Sequence, residues 1–398
     1  MKTLTDYMNN FINHKRFDAD YKLTRKERAK LVALDKEYGK FFRKFWHKWT
    51  RTECTNLDKE WKKFKKAIDK GQEYYPQIKL VKDELNESFL MWARRLRNKF
   101  VAFPCYLSKF YIENIDYMYN QAFGTVYKTP EAIAVLNQQM CPPVSEDNYN
   151  AAWELIKQYP YNDVREDQNY SAEDIVDMMQ DRINKREFKY RVKLNPHMIA
   201  RQNVVPHIPV LHINANAKFS NIDVESLKIH EVDIHVARRH YGFQTGLNLF
   251  VDGLKERNTL DEGMAIYQSL HNNPAGVKPN LQFEIAIKTI IGYHIMTMNF
   301  IELYKWLSEE LRTEDNKEVI SEIVFKNLMR FKRVVQDCSL FGGDAISETD
   351  YFCGYMMVKD KSEEEKQDLI KWNIGPAQVC ELPNIKKFFE VNKFKPLT

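Results

Sequence analysis

The sequence predicts a mostly α protein with a small β component, an α+β chain. Two observations carry this reading. Apolar residues recur at helical spacing through the first hundred residues and again from about residue 223 onward, and the period shifts to two between about 186 and 220. A third agrees: 13 Gly and 14 Pro in 398 residues are too few for the tight turns of a sandwich or a repeat array. An apolar fraction of 44% with 13% aromatics supplies a core and excludes general disorder. The most apolar stretch, near 281–301, still contains Glu284, Lys288 and His294, so no membrane span is expected. The first ten residues hold no apolar run, and a signal peptide is not expected. The six cysteines include no Cys-x-x-Cys pair and read as reduced thiols, so a cytoplasmic location is expected.

In order along the chain, Thr24 and Glu27 form a capping box that opens a first helix. Its stripe is Leu31, Leu34, Tyr38, Phe41, Phe45 and Trp49. A second stripe runs Leu57, Trp61, Phe64, Ile68 and stops at Gly71; a third runs Val81, Leu85, Phe89, Trp92, Leu96. Helices are also expected from Pro130, over Asn148–Tyr159, and after the capping sequence Ser171 to Asp174. Alternation at Phe188, Tyr190, Val192, Leu194 and at Leu211, Ile213, Ala215, Ala217 predicts two strands. Long helical segments are expected near 282–309 and 316–337. The organisation expected is a basic helical region over 1–141, a connecting segment with helices over 142–185, and a third unit over 186–398 that carries the sheet.

One segment carries chemistry: Lys228-Ile-His230-Glu231-Val-Asp-Ile-His235, directly after the second strand. Many zinc peptidases place two histidines on such a helix to hold the metal, with the adjacent Glu activating a water. The spacing here is five rather than four. On a regular helix of 3.6 residues per turn, five residues leave the two rings roughly 140° apart. Both meet one ion only if the helix widens by a residue, as in a π-bulge. Without a metal, the pattern describes two surface histidines around a solvated Glu. Glu262, in Thr259-Leu-Asp-Glu262-Gly-Met-Ala265, is the third-ligand candidate, although Thr259 and Glu262 also have the spacing of a capping box. His240 is its rival, but the Val-Ala-Arg-Arg between His235 and His240 contains no Gly for the turn it needs.

These residues resemble the family of microtubule-associated tyrosine carboxypeptidases and its bacterial relatives, the flavohaemoglobin expression-modulating QEGLA-motif proteins. That family carries a helix close to His-Glu-Ile-Gly-Thr-His and, some thirty residues later, Gln-Glu-Gly-Leu-Ala. The counterparts here are His230-Glu-Val-Asp-Ile-His235 and Asp261-Glu262-Gly-Met-Ala265. The likeness extends over roughly 170–380 and includes Arg330-Phe-Lys-Arg333 and Glu348-Thr-Asp-Tyr351-Phe-Cys-Gly354. It implies a zincin-like metallopeptidase domain, Zn2+ held by His230, His235 and Glu262, and Glu231 as general base. It further implies removal of a C-terminal residue, typically tyrosine, from a protein tail. Asp233 and Asp261 depart from the family's Gly and Gln. A terminal carboxylate would suit the forked guanidinium of Arg330 or Arg333, and Tyr351 would donate to the oxyanion. The strand Leu211–Ala217, with Asn214 and Asn216, is the candidate to pair with an extended substrate.

Charge adds a second function class. Residues 1–100 carry 26 Lys and Arg against 14 Asp and Glu, which leaves the remainder at −7. Lys40, Arg43, Lys44 and Lys48 alternate with aromatic residues, as RNA binding on a peptidase-like scaffold would require. An acidic protein tail would satisfy the same cations.

Overall fold

The computed structural model describes residues 15–49, 52–53, 57–80, 85–140, 143–162, 167–196, 201–205, 208–313, 316–333, 335 and 337–397. The first helix, α1 (Arg25–Trp49), opens at the expected capping box: the Thr24 amide donates to Glu27 Oε2 at 2.9 Å and the Glu27 amide donates to Thr24 Oγ1 at 3.2 Å. Leu31, Leu34, Tyr38, Phe41 and Phe45 are buried along one face; the side chain of Trp49 lies outside the described residues. A two-residue strand β1 (Thr52–Glu53) pairs with β2 (Lys79–Leu80) and brackets α2 (Leu57–Asp69), which buries Trp61 and Phe64. Asn86 caps α3 (Glu87–Val101), so this helix begins later than its apolar stripe; Val81 lies outside the described residues.

A helix not foreseen, α4 (Ser108–Tyr127), follows. Next come α5 (Pro130–Met140), α6 (Glu146–Gln158) and α7 (Ala172–Lys185), the last with a complete Ser171–Asp174 capping box. The sheet has three strands, β3 (Arg191–Asn195), β4 (Gln202–Val204) and β5 (Val210–Asn214), in the order β3-β5-β4. The β5 strand runs parallel to β3 and antiparallel to β4. Both predicted strands exist, and the unpredicted β4 forms one edge.

From Ser220 the chain turns into α8 (Asn221–Leu227), continues through a π-helical segment (Lys228–Val236) and ends as α9 (Ala237–Thr245). Then come α10 (Asn248–Asp252), α11 (Arg257–His271), α12 (Leu281–His294), α13 (Phe300–Leu311), α14 (Lys317–Lys332), α15 (Ala345–Val358), α16 (Glu363–Lys371) and α17 (Leu382–Val391). The single helix expected over 282–309 is two. Asn299 accepts from the amides of Ile301 and Glu302 and starts α13 afresh. No helix among the described residues is long and apolar enough to cross a membrane. The four described cysteines, Cys105, Cys338, Cys353 and Cys380, are free thiols.

Three large apolar clusters hold these elements. Leu31, Tyr38 and Phe41 of α1 share one with Ile234 of the π segment, Leu249 of α10, and Leu260 and Met264 of α11. A second gathers α2 and α12–α15 around Phe64, Ile290, Phe300 and Phe325. The third lies between the sheet, α7 and the π segment, with Leu211, Ile213, Val232 and Val236 fully buried. The π segment thus separates two cores, with Val232 and Val236 facing one and Ile234 the other. Asp35 of α1 adds a polar clamp. Its carboxylate accepts from the backbone amides of Asn248 (2.8 Å) and Leu249 (3.1 Å), capping α10 from another part of the chain.

Candidate metal centre

The widening demanded by the five-residue spacing is present: Lys228–Val236 is π-helical. Its i→i+5 pattern brings the His230 and His235 rings to 4.8 Å between centroids, at 76°. Asp233, where Gly would ease the widening, does not prevent it. Its carboxylate points away from the histidines to Arg182 and Arg186 of α7, with Arg186 at 3.0–3.1 Å.

Glu262 arrives from α11. It does not act as a cap, because α11 begins at Arg257 and Thr259 lies inside the helix, donating to Asp350 Oδ1 at 2.5 Å. Glu262 Oε2 stands 3.3 Å from His230 Nε2 and 3.6 Å from His235 Nε2, is buried, and has no hydrogen-bond partner. Glu231 is 6% exposed and its Oε1 lies 4.0 Å from His230 Nε2. One ligand atom from each of His230, Glu231 and His235 can be chosen so that all lie within 4.8 Å of one another. His240, the rival to Glu262, instead packs on Phe188 with ring centroids 4.9 Å apart.

Gly263 sets the position of α11. A Cβ there would stand 2.2 Å from the carbonyl carbon of Gly354, and one on Gly354 would stand 1.8 Å from Thr259 O. Only two facing glycines let α11 and α15 approach so closely. That contact carries Glu262 and Tyr351 to the same cavity.

Asp261 escaped the site prediction, although it sits inside the motif. Its Oδ1 stands 2.9 Å from His235 Nδ1, leaving Nε2 to face Glu262. The same carboxylate pairs with Arg238 Nε (3.2 Å) and with Arg257 (3.2 Å), both buried. Burial works against a charged His235, but Asp261 and Glu262 outweigh it and hold the imidazole well above its ordinary range. Burial likewise favours neutral Asp261 and Glu262, yet the neighbouring cations, His235 foremost, keep both below the usual carboxylate range. Burial beside Arg239 pushes Arg257 down to about 9.

The cluster opens into a cleft of about 1100 Å³. Arg330 and Arg333 of the α14 end line it, as do Tyr351 of α15 and residues 201–205 of the β4 segment. Glu348, 1% exposed, orders the cations: Arg330 Nε lies at 3.0 Å, Arg333 at 2.5 Å and Lys288 Nζ at 3.5 Å. Lys288 also sits 4.3 Å from the Tyr351 ring centroid. The charge of Glu262, then burial, holds the Tyr351 phenol well above the ordinary tyrosine range.

The structure does not bring all of the expected residues together. Asn214 and Asn216 do not line this cleft. β5 is the central strand, its backbone engaged by β3 and β4, and Asn214 Oδ1 accepts from the Asn216 amide in the turn that follows. The edge strand at the cleft is β4, which the sequence pattern did not reveal because it is three residues long. Arg43 and Lys44 are exposed on α1 and line the same cleft. Lys40 is exposed outside the cleft lining, and the side chain of Lys48 lies outside the described residues.

No curated protein matches the chain. Residues 146–326 match the family model described as microtubule-associated tyrosine carboxypeptidase. The match starts before the segment whose motifs suggested it and ends ahead of Arg330, Arg333 and Tyr351, while taking in His230, Glu231, His235, Asp261 and Glu262. Over that span, less than half of its length, the chain is similar to the microtubule-associated tyrosine carboxypeptidase family.

Proposed function

We propose that this protein is a zinc-dependent carboxypeptidase that removes a C-terminal residue, tyrosine by family resemblance, from a protein tail. The observation that carries the proposal is the approach of Glu262 Oε2 to both imidazole Nε2 atoms, at 3.3 and 3.6 Å. Ligands bound tetrahedrally at about 2.0–2.2 Å stand about 3.3–3.6 Å apart. A buried carboxylate oxygen without a hydrogen bond is the group such an ion would satisfy. His230, His235 and Glu262 would hold the ion, with Asp261 fixing the tautomer of His235. When bound, zinc supplies a Lewis acid that brings the pKa of its water to near 7.

The chain's own residues do the rest. Glu231 takes the proton of the attacking water and returns it to the leaving amine. Tyr351, kept protonated, donates to the developing oxyanion. Arg330 and Arg333 are pre-oriented by Glu348 and keep donors for a terminal carboxylate. β4, the edge strand at the cleft among the described residues, offers backbone groups to an extended tail. Arg43 and Lys44 favour an acidic tail upstream of the cleaved bond.

The test is a Glu231→Gln variant of the full chain, loaded with zinc and incubated with an acidic peptide ending in tyrosine. Release of tyrosine, followed by mass spectrometry, should stop while elemental analysis still finds one zinc per chain. His235→Ala should lose the zinc. Zinc-free wild-type protein, or undiminished release by Glu231→Gln, would refute the reading.

A further inference from the structure

A groove of about 1030 Å³ lies at the opposite end of α1 from the cleft, where the C-terminal segment 393–397 runs back beside the helix. That segment is pinned in several places. Asn392, 0% exposed, accepts from the Leu23 amide at 2.7 Å and donates to Tyr21 O at 2.9 Å. Arg28 Nη1 donates to Lys393 O at 3.2 Å, and the Leu397 amide donates to Phe243 O at 2.9 Å. Gly246, at φ +78°, lets the segment cross: a Cβ there would stand 2.2 Å from Lys395 O. The groove is thus built into the fold.

Its charge is one-sided. Arg25, Arg28, Val32 and Lys36 share one face of α1, and Arg25 and Lys36 are about 16 Å apart along the axis. Lys22, Lys393 and Lys395 add three more cations to the lining, which holds no carboxylate among the described residues. Lys22, Arg25, Lys36, Lys393 and Lys395 are exposed, and none of the five is ion-paired among the described residues. The carboxylates of this part of the chain are engaged elsewhere: Glu27 with Thr24 and Arg16, Glu37 with Lys99, and Asp20 with Lys387. Between the cations the lining is apolar, with Val32, Phe394 and Leu397 each half-buried. Arg28 Nε is buried without a hydrogen-bond partner.

We infer that this groove docks an acidic amphipathic helix of a partner protein, at a site separate from the cleft and independent of the carboxypeptidase reading. One rim belongs to α1 and the other to residues 393–397, with apolar side chains between them. A helix whose apolar stripe is flanked by acids on both sides meets both rims and the floor at once. A carboxylate over the groove also supplies the acceptor that Arg28 Nε lacks. A run of glutamates carries nothing for the floor. RNA needs several rings to stack on, and Phe394 is the only aromatic residue in the described lining. A flat anionic membrane reaches the exposed lysines but not the recessed floor. The groove and the cleft share no lining residue, and Arg43 lies two turns beyond Lys36, about 10 Å along α1, so an occupant leaves the cleft open.

The probe is a labelled synthetic helix with Leu at i, i+3, i+4 and i+7 and Glu on both flanks, titrated onto the full chain at low and at physiological salt. Its scrambled isomer, a glutamate run without leucine, single-stranded RNA and anionic vesicles are titrated beside it. The helix should bind saturably and about tenfold more tightly than the scrambled isomer, which keeps the charge and loses the stripe. Reversing Arg25 and Lys36 together to Glu should weaken it about 5- to 30-fold, less so in salt, whereas Arg25→Lys with Lys36→Arg should keep it. Leu397→Ala should weaken it about three- to tenfold at either salt, through lost apolar burial. Release of tyrosine from a short peptide should be the same in the charge-reversed chain as in wild type. Absent or non-saturable binding, indifference to the charge reversal, or equal binding of the scrambled isomer or the glutamate run would overturn the inference. A preference for RNA or vesicles over the helix would replace the partner class, and slower tyrosine release in the charge-reversed chain would make the groove part of the cleft; either result also overturns it.

Discussion

Asp261→Asn is the most informative single change, because Asp261 touches the site without being one of its proposed ligands. Its carboxylate lies 2.9 Å from His235 Nδ1 and 3.2 Å from both Arg238 and Arg257. Asparagine keeps the shape and an acceptor oxygen but removes the charge. A hydrogen bond to a charged group contributes about 1.5–3 kcal/mol. At about 1.4 kcal/mol per tenfold, losing it should weaken zinc binding about 10- to 100-fold, the range typical of such supporting groups. The arginines add a second cost. Arg238 has 0% of its side chain exposed and Arg257 8%, so the variant leaves two buried cations short of their shared anion. Breaking a buried pair from one side costs about 3–5 kcal/mol. Arg238 keeps acceptors at Leu369 O and Ile374 O, which places the expected loss near the lower end. Zinc affinity is read by competition with a chelator, and stability by urea unfolding of the metal-free chain. Asp233→Asn is the control: it lies on the same π segment but pairs outward with α7, and should leave zinc affinity unchanged. Asp261→Asn with wild-type zinc affinity, or an equal loss in Asp233→Asn, would refute the assignment of Asp261 as the group that positions His235.

Gly263→Ala places a Cβ against Gly354 backbone at 2.2 Å and should destabilise the protein by about 1–3 kcal/mol through overpacking; an unchanged urea midpoint would show that α11 and α15 do not need this approach. Reversing both Arg43 and Lys44 to Glu should raise KM for an acidic peptide about 2- to 10-fold at low ionic strength, with the difference fading in salt. If trimming kinetics stay the same while wild type binds RNA in a salt-sensitive way that the variant loses, those cations serve nucleic acid instead.

Much of the candidate site is legible in one dimension because local geometry constrains it. Two histidines five apart demand a widened helix, and the π segment at Lys228–Val236 meets that demand. The amphipathic helices of the first hundred residues are equally plain, since each buries a single stripe and leaves its basic face to water. Helix α4 is not plain for the opposite reason. Phe110, Tyr111, Ile112, Ile115, Met118 and Ala122 are buried over a wide arc, and the polar stripe of Lys109, Glu113, Asp116 and Asn120 opposite it is narrow, so its period is faint. The interruption between α12 and α13 was missed because Asn299 acts through its cap and not through a Gly or Pro.

What the sequence by itself determined is therefore what neighbouring residues decide: helix stripes, caps, the strand alternation, and the unusual spacing of His230 and His235. Tertiary structure decided what depends on groups distant in the chain. The close crossing of Gly263 and Gly354 brings Glu262 and Tyr351 into one cavity, 89 residues apart in sequence. Asp261, which could have been a surface acid at the start of a helix, becomes buried between His235 and two arginines. The basic α1 becomes a wall of the cleft because its apolar stripe packs into the core that holds the helices of the candidate site. Burial and the convergence of charges are properties of the folded arrangement, and no local pattern of residues encodes which distant side chain will neutralise a buried one.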